Sequence, residues 1–208
     1  MLFKDEIPEH LKDKVYIAQS LTDDALGKYK IDVRIPMLSI RTDIANRINS
    51  EITGTFAKKM LDLISKNNAV YSFYNISFYT AINDDILTLA IKCGLKEGGT
   101  AQRQIIKTYN YDMKNEKILT LDEVIEKYNL DREDIQKQIN EEVKRKAEKA
   151  EEIESSGFNI YKRVVNDTIY KIENTQEFML DESRNLYIIY PYGNNNITGE
   201  MDLIVIPQ

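Results

Sequence analysis

The chain has 208 residues, 42% hydrophobic and 30% charged, with 28 Lys and Arg set against 34 Asp and Glu for a net charge of −6. That length suits one large domain or two small, intimately packed ones, and the composition is that of a folded globular chain rather than a disordered one. The acidic balance argues against non-specific nucleic-acid binding, which needs a cationic surface to displace counterions, and it permits attraction to a basic partner.

Taken in order, residues 1–27 are polar and weakly patterned, with one short strand expected at Val15 to Ala18. From Lys28 to Ile35, Tyr29, Ile31, Val33 and Ile35 alternate with charged residues, the period of a strand with one wet face, and Pro36 is expected to end it. From Ser39 the period changes. Ile40, Ile44, Ile48, Ile52 and Phe56 recur every four residues, then Met60, Leu63 and Ile64, which predicts a long amphipathic helix. Ser39 or Thr42 can cap it and Lys66-Asn67-Asn68 can close it, while Gly54 in its middle suggests close packing.

Val70 to Ile82 is aromatic and β-branched and reads as a strand. A turn at Asn83-Asp84 leads to a strand at Ile86 to Cys93, a loop at Gly94 to Ala101, and a strand at Gln102 to Met113. After a tight turn at Lys114-Asn115-Glu116, Ile118 to Leu121 leads into a short helix, Leu121 to Tyr128, capped by Thr120. This meander is expected to form the middle of the sheet that the helices cover. Asp131 opens a second long helix with Ile135, Ile139, Val143, Ala147, Ala150 and Ile153 as its stripe, and it ends at Ser155-Ser156-Gly157. Its outer faces carry Glu141 with Arg145 and Glu142 with Lys146 at i, i+4, so Lys144-Arg145-Lys146 reads as a solvated helix face. A strand at Ile160 to Val165 and three closing strands at Glu177 to Leu180, Leu186 to Tyr190 and Met201 to Ile206 complete the chain. The fold class that follows is α+β: antiparallel sheets each covered by one long helix, in two intimately packed halves, residues 1–82 and 83–208.

Candidate chemistry is sparse. His10 is the only histidine and Cys93 the only cysteine, so an intramolecular disulfide, a His-rich zinc site and a cysteine zinc site are excluded by count. Cys93 shares a strand face with Leu87, Leu89 and Ile91, the setting of an inert buried thiol. Gly98-Gly99 follows a strand but precedes no GK[ST] and no helix, so it is a hairpin tip rather than a phosphate loop. No calcium-loop spacing is present, and no cofactor or metal is expected. Tyr187, Tyr190 and Tyr192 gather near Pro191 and Gly193, a composition found both at recognition surfaces and in cores. Carboxylates are numerous enough to supply a glycosidase-like pair, which only geometry can test. No run approaches the roughly 20 apolar residues of a membrane helix, and the residues as given carry no export signal.

Two stretches carry a resemblance. The segment from Gly98 to Ile125 has a GG-containing loop, a strand ending in Tyr109-Asn110-Tyr111-Asp112, a turn with Lys117, then Leu119-Thr120-Leu121 and a short helix. The tail has Tyr190, Pro191 and Tyr192, then Gly199 and Glu200, and a last strand ending at Ile206-Pro207. In that order the motifs resemble RsiV-type anti-sigma factor ectodomains and the accessory region of PdaC-type peptidoglycan deacetylases. Many relatives carry a histidine after the loop's GG-Ala, where this chain has Thr100-Ala101-Gln102, and roles that need a sigma-binding segment or a deacetylase domain are not carried over. The resemblance implies a non-catalytic extracytoplasmic binding or sensing domain at the cell envelope. Its partner would be a basic, lysozyme-like protein or a peptidoglycan fragment, with no nucleic acid.

Ligand contacts are then expected at two places, Gly98, Gly99 and Gln102 in the first loop and Tyr190, Tyr192, Asn194 and Asn195 in the second. Two other readings stand beside this one: a carboxylate-dependent glycan hydrolase, and a cytoplasmic protein–protein interaction domain if the residues given are the whole protein.

Overall fold

The computed structural model describes residues 2–65, 70–157, 161–191 and 201–207. The alternation of Tyr29, Ile31, Val33 and Ile35 builds β2 (Tyr29–Leu38), which pairs antiparallel with β1 (Val15–Ala25). β1 is far longer than the short strand expected. Pro36 does not end β2. The strand runs on to Leu38 because the register shifts between Ile17 and Gln19, opposite Pro36, and an irregular ladder tolerates a residue without an N–H.

The predicted long helix is present as α1 (Asp43–Ile52), a π-helical stretch (Thr53–Ala57) and α2 (Lys58–Ser65) in direct succession. Thr42 caps it, its hydroxyl accepting from Ala45 N at 3.2 Å. The π stretch follows from the spacing. A four-residue repeat precesses by about 40° per step around a 3.6-residue helix, and one wider turn lets Ile48, Ile52, Phe56 and Met60 keep facing the sheet. Gly54 lies in that stretch with open space where a Cβ would stand, so close packing does not explain it. The expected closing residues Lys66-Asn67-Asn68 lie outside the described residues.

The helices connect β2 to β3 (Ser72–Asn83), and those two strands pair in parallel, Tyr29–Asp32 beside Ser72–Asn75. The large sheet is therefore mixed, not antiparallel throughout as the meander suggested. Parallel neighbours need a long crossover, and α1 with α2 supplies it. The meander continues antiparallel through β4 (Ile86–Lys96), β5 (Arg103–Asp112) and β6 (Lys117–Ile118), giving the order β1-β2-β3-β4-β5-β6. β4 extends to Lys96, into the stretch read as loop. The 82/83 division falls beside the β3–β4 turn, inside one hydrogen-bonded hairpin. The N-terminal segment also joins the sheet: Lys4 and Phe78 exchange backbone hydrogen bonds of 2.7 and 2.6 Å on the edge of β3 that β2 leaves open.

After α3 (Leu121–Lys127), with a full capping box between Thr120 and Glu123, α4 (Arg132–Ser155) starts at the Asp131 cap as expected. β7 (Glu177–Leu180), β8 (Leu186–Pro191) and β9 (Met201–Ile206) form a separate antiparallel sheet. No strand forms over residues 161–165, and 158–160 lie outside the described residues.

The apolar clusters define the layers. Leu87, Leu89, Ile91 and Cys93 of β4 meet the α1–α2 stripe. On the opposite face, Ala90 and Ile106 meet Met179 and Ile189 of the small sheet, with Phe3 beside them. The far face of the small sheet, Phe178, Leu180, Ile188 and Ile204, meets Ile135, Ile139 and Val143 of α4. The order is helix, large sheet, small sheet, helix. Each long helix covers its own sheet, so the meander's second face is covered by β7–β9 and not by α4.

Candidate functional site

Beside the apolar cluster, a row of polar side chains is paired across the junction of the two sheets. Asn110 donates from Nδ2 to Phe178 O at 2.9 Å and accepts from Thr88 Oγ1 at 2.9 Å, while Phe178 N donates to Thr108 Oγ1 at 3.1 Å. Glu177 accepts from Thr108 N at 2.7 Å and from Thr108 Oγ1 at 2.8 Å. At the far end Asn83 donates to Glu182 O at 3.1 Å. These contacts set β7 alongside β5, running the same way.

Burial raises the Glu177 carboxyl above its usual value, against the lowering effect of Thr108 and Lys107. Lys107 Nζ stands 3.6 Å from Glu177 Oε1 and 3.6 Å from Glu51 Oε1 of α1. The buried Tyr109 hydroxyl lies nearby, pushed above its ordinary range by burial and then by Glu51 and Glu177. One carboxyl is therefore shielded and the other open, on either side of a lysine.

A second polar centre lies under α4. Asp202 of β9 is fully buried, and Arg163 Nε donates to both its oxygens at 2.9 and 3.0 Å. Lys146 Nζ donates to Oδ1 at 3.0 Å, and the Tyr170 hydroxyl donates to Oδ2 at 3.0 Å. Lys146 also lies 3.6 Å from Glu142, whose carboxylate takes both Arg145 donors at 2.8 and 2.7 Å. The expected Glu141–Arg145 pair is not formed, because Glu142 sits on the side of the helix where Arg145 and Lys146 converge. Lys146 is thus no solvated face but the anchor of a buried carboxylate. The cost of desolvating Asp202 is offset only because all these donors are in place.

Two grooves flank α4. One, of about 300 Å³, is lined by Gln136, Asn140, Asn166, Asp167, Tyr170, Lys171 and Glu173. The other, of about 420 Å³, lies between α4 and β9. The sequence reading missed both centres and both grooves. Arg163 and Asp202 are 39 positions apart, and no local period links them; the only signal was a lone Asp in an otherwise apolar closing strand.

The expected contact residues are placed as follows. Gly98 has φ +55, a backbone region that disfavours side chains, and its N–H donates to Ser72 Oγ at 2.8 Å. Gly99 is exposed and Gln102 half-buried. The loop is tied down by Glu97, which takes Lys59 at 2.9 Å and Arg103 at 2.7 Å. Tyr190 is only 6% exposed: its ring meets Tyr170 edge-on at 5.1 Å in the α4 core and its hydroxyl lies 3.3 Å from Thr175 Oγ1, so it fills the interior and presents no contact surface. Tyr192, Asn194 and Asn195 lie outside the described residues. Because β7 runs with β5, and β8 runs back, β8 ends at the end of the molecule where β5 begins.

The motif residues themselves are structural. Tyr109, Asn110, Tyr111 and Asp112 are all buried. The Tyr111 hydroxyl lies 2.9 Å from Thr42 Oγ1 at the α1 cap, and Asp112 accepts from the amides of Lys114 and Asn115 to close the turn. Cys93 is buried with its thiol pushed up to about 12 by desolvation, and His10 sits 3.4 Å from Glu182 at the surface. Among the described residues no group of three His, Cys, Asp or Glu could hold a metal ion, and no helix is long and apolar enough to cross a membrane.

No protein-family model matches the chain, and no curated protein does. Among solved structures, the chain is similar to a DUF3298 family protein from Pseudomonas aeruginosa PAO1, at 14% identity and a TM-score of 0.47, over 93% of this chain and 87% of that one. It is also similar to a DUF3298 family member from Bacteroides fragilis, at 15% identity and a TM-score of 0.38, over 86% of this chain and 81% of that one.

Proposed function

We propose that this chain is a binding or sensing domain of the bacterial cell envelope, working outside the membrane, whose ligand is a basic lysozyme-like protein or a cell-wall glycan. The observation that carries this reading is the use made of the buried polar groups. Asp202 joins β9, α4 and the 161–170 segment; Glu177 and Asn110 join the two sheets; Asp112 closes a turn. Asp202, Glu177 and Asn110 hold one layer to the next and Asp112 fixes a turn, which is how a rigid scaffold presents its surface for recognition. The resemblance of the Gly98–Ile125 and Tyr190–Pro207 motifs to anti-sigma factor ectodomains supports the same reading, and the net charge of −6 suits a basic partner. Calorimetry against a basic lysozyme and against soluble muropeptides tests it. Micromolar or tighter binding of one of them is the expected result, and no binding of either overturns the reading.

A second reading, a carboxylate-dependent glycan hydrolase, is favoured by Glu51 and Glu177 on either side of Lys107, one shielded and one open. It requires release of reducing ends from peptidoglycan by the wild-type chain and loss of that release in Glu177→Gln. The binding reading expects no turnover by either.

A further inference from the structure

A sheet edge exposes a row of backbone donors and acceptors that another chain can pair with, and folded proteins normally blunt it. Three other edges among the described residues are blunted. β1 carries a register shift beside Ala18 and the charges Asp23 and Asp24. β7 is hooked to the large sheet through Phe178, whose N–H and carbonyl bond Thr108 and Asn110. On the open side of β5, Glu177 takes the Thr108 amide.

β9 has none of these devices. It pairs with β8 in unbroken register from Met201 to Ile206, and among the described residues no strand pairs with its other side. Its one charge, Asp202, turns inward and is already held by Lys146 and Arg163, so no charge stands on the edge. The groove of about 420 Å³ runs along this strand and is lined by three consecutive residues, Leu203, Ile204 and Val205. Consecutive strand residues point to opposite faces, so what all three share toward the groove is the backbone edge. Val205, 45% exposed, offers an apolar footing there.

The opposite wall is α4. Arg145 and Glu142 on that wall are joined to each other. Glu141, exposed beside them, has no ion pair among the described residues, so the groove's available charge is negative.

We infer that the β9 edge is the docking strand of this domain, taking an extended, lysine- or arginine-bearing segment of a protein partner that adds to the small sheet as a fourth strand. The partner's backbone pairs with Met201–Ile206, an apolar side chain rests on Val205, and a cation meets Glu141. This rests on the binding reading above and names its surface. A second copy of the chain is disfavoured by like charge, since each copy carries −6.

The test uses fluorescence anisotropy of the full chain with three labelled hexapeptides: alternating lysine and valine, alternating glutamate and valine, and the lysine–valine peptide N-methylated at alternate amides. Saturable binding of the first, absent for the second and lost on N-methylation, is expected. Val205→Lys and Glu141→Lys each weaken the first by about tenfold or more. Both positions are exposed, so the variants keep the wild-type melting temperature, and Glu141→Gln serves as a milder companion. Equal binding of the acidic or methylated peptide, failure of the first peptide to bind, unchanged affinity in the variants, or self-association through this edge in sedimentation overturns the inference. Lysozyme binding that persists unchanged in both variants also sinks the edge while leaving the domain reading standing. Absence of both lysozyme and muropeptide binding sinks the domain reading itself, whatever the hexapeptides do.

Discussion

The molecule lays a helix on a sheet twice, and the two pairs are held differently. On one side α1, the π-helical stretch and α2 present Ile48, Ile52, Phe56, Met60 and Leu63 to the large sheet, an unbroken apolar stripe. On the other side α4 presents Ile135, Ile139 and Val143 over its first half, and then its stripe thins: Ala147 and Ile153 are only half-buried. The ionic centre takes over there, with Lys146 reaching down to Asp202 and Arg163 holding the following segment over it. A helix with a full stripe is held by area removed from water, which tolerates small shifts. A helix held by a buried carboxylate is fixed in register, because each donor has one place to go.

The sharpest way to break the comparison is Asp202→Asn, which removes the buried anion that Lys146 and Arg163 share. Loss of about 3–5 kcal/mol in urea unfolding is expected, the range for removing one partner of a buried ion pair. Hydrogen exchange is expected to rise first in the second half of α4 and in 161–170, with the α1–α2 side still protected. Ile52→Ala probes the other side. Ile52 is fully buried, and the loss expected for such a truncation is about 2–5 kcal/mol, read from the same urea midpoint and insensitive to salt.

Glu177→Gln sharpens the contrast between the layers by pH. Burial raises the Glu177 carboxyl in the folded state, so its stabilising contribution is present below the ordinary carboxyl value and is lost as pH rises through the raised one. Wild type is therefore expected to lose stability relative to the Gln variant as pH rises above the ordinary carboxyl value, with the difference flat at more acid pH. Thermal melts of both proteins across that range check it, and a constant difference refutes it.

Period was what made the sequence readable. The alternation at Tyr29 to Ile35, the helical stripe from Ile44 to Leu63, and the caps Thr42, Thr120 and Asp131 all lie where the residues placed them. Local rules failed where a neighbour far along the chain intervened. Pro36 reads as a stop until β1 arrives with its register shift, and the two-faced burial of β4 is invisible until β7 and β8 cover its second side. Lys146 reads as solvated because its partner is 56 positions away.

The candidate site was the least legible part. The Gly98 loop is a tethered turn and Tyr190 a core residue, whereas the groove beside β9 is made from an edge and a helix face that share no motif. What the residues determined alone was most of the segments that coil or extend, though not the length of β1 or the lack of a strand over 161–165, and that the class is α+β. Those properties arise from side-chain period and from backbone groups satisfied within a few residues. What tertiary structure decided was the parallel β2–β3 pair, the four-layer order, the burial of Asp202 and the edge left open at β9. Each depends on which distant strand or donor reaches a given backbone or charge, and no local pattern encodes that choice.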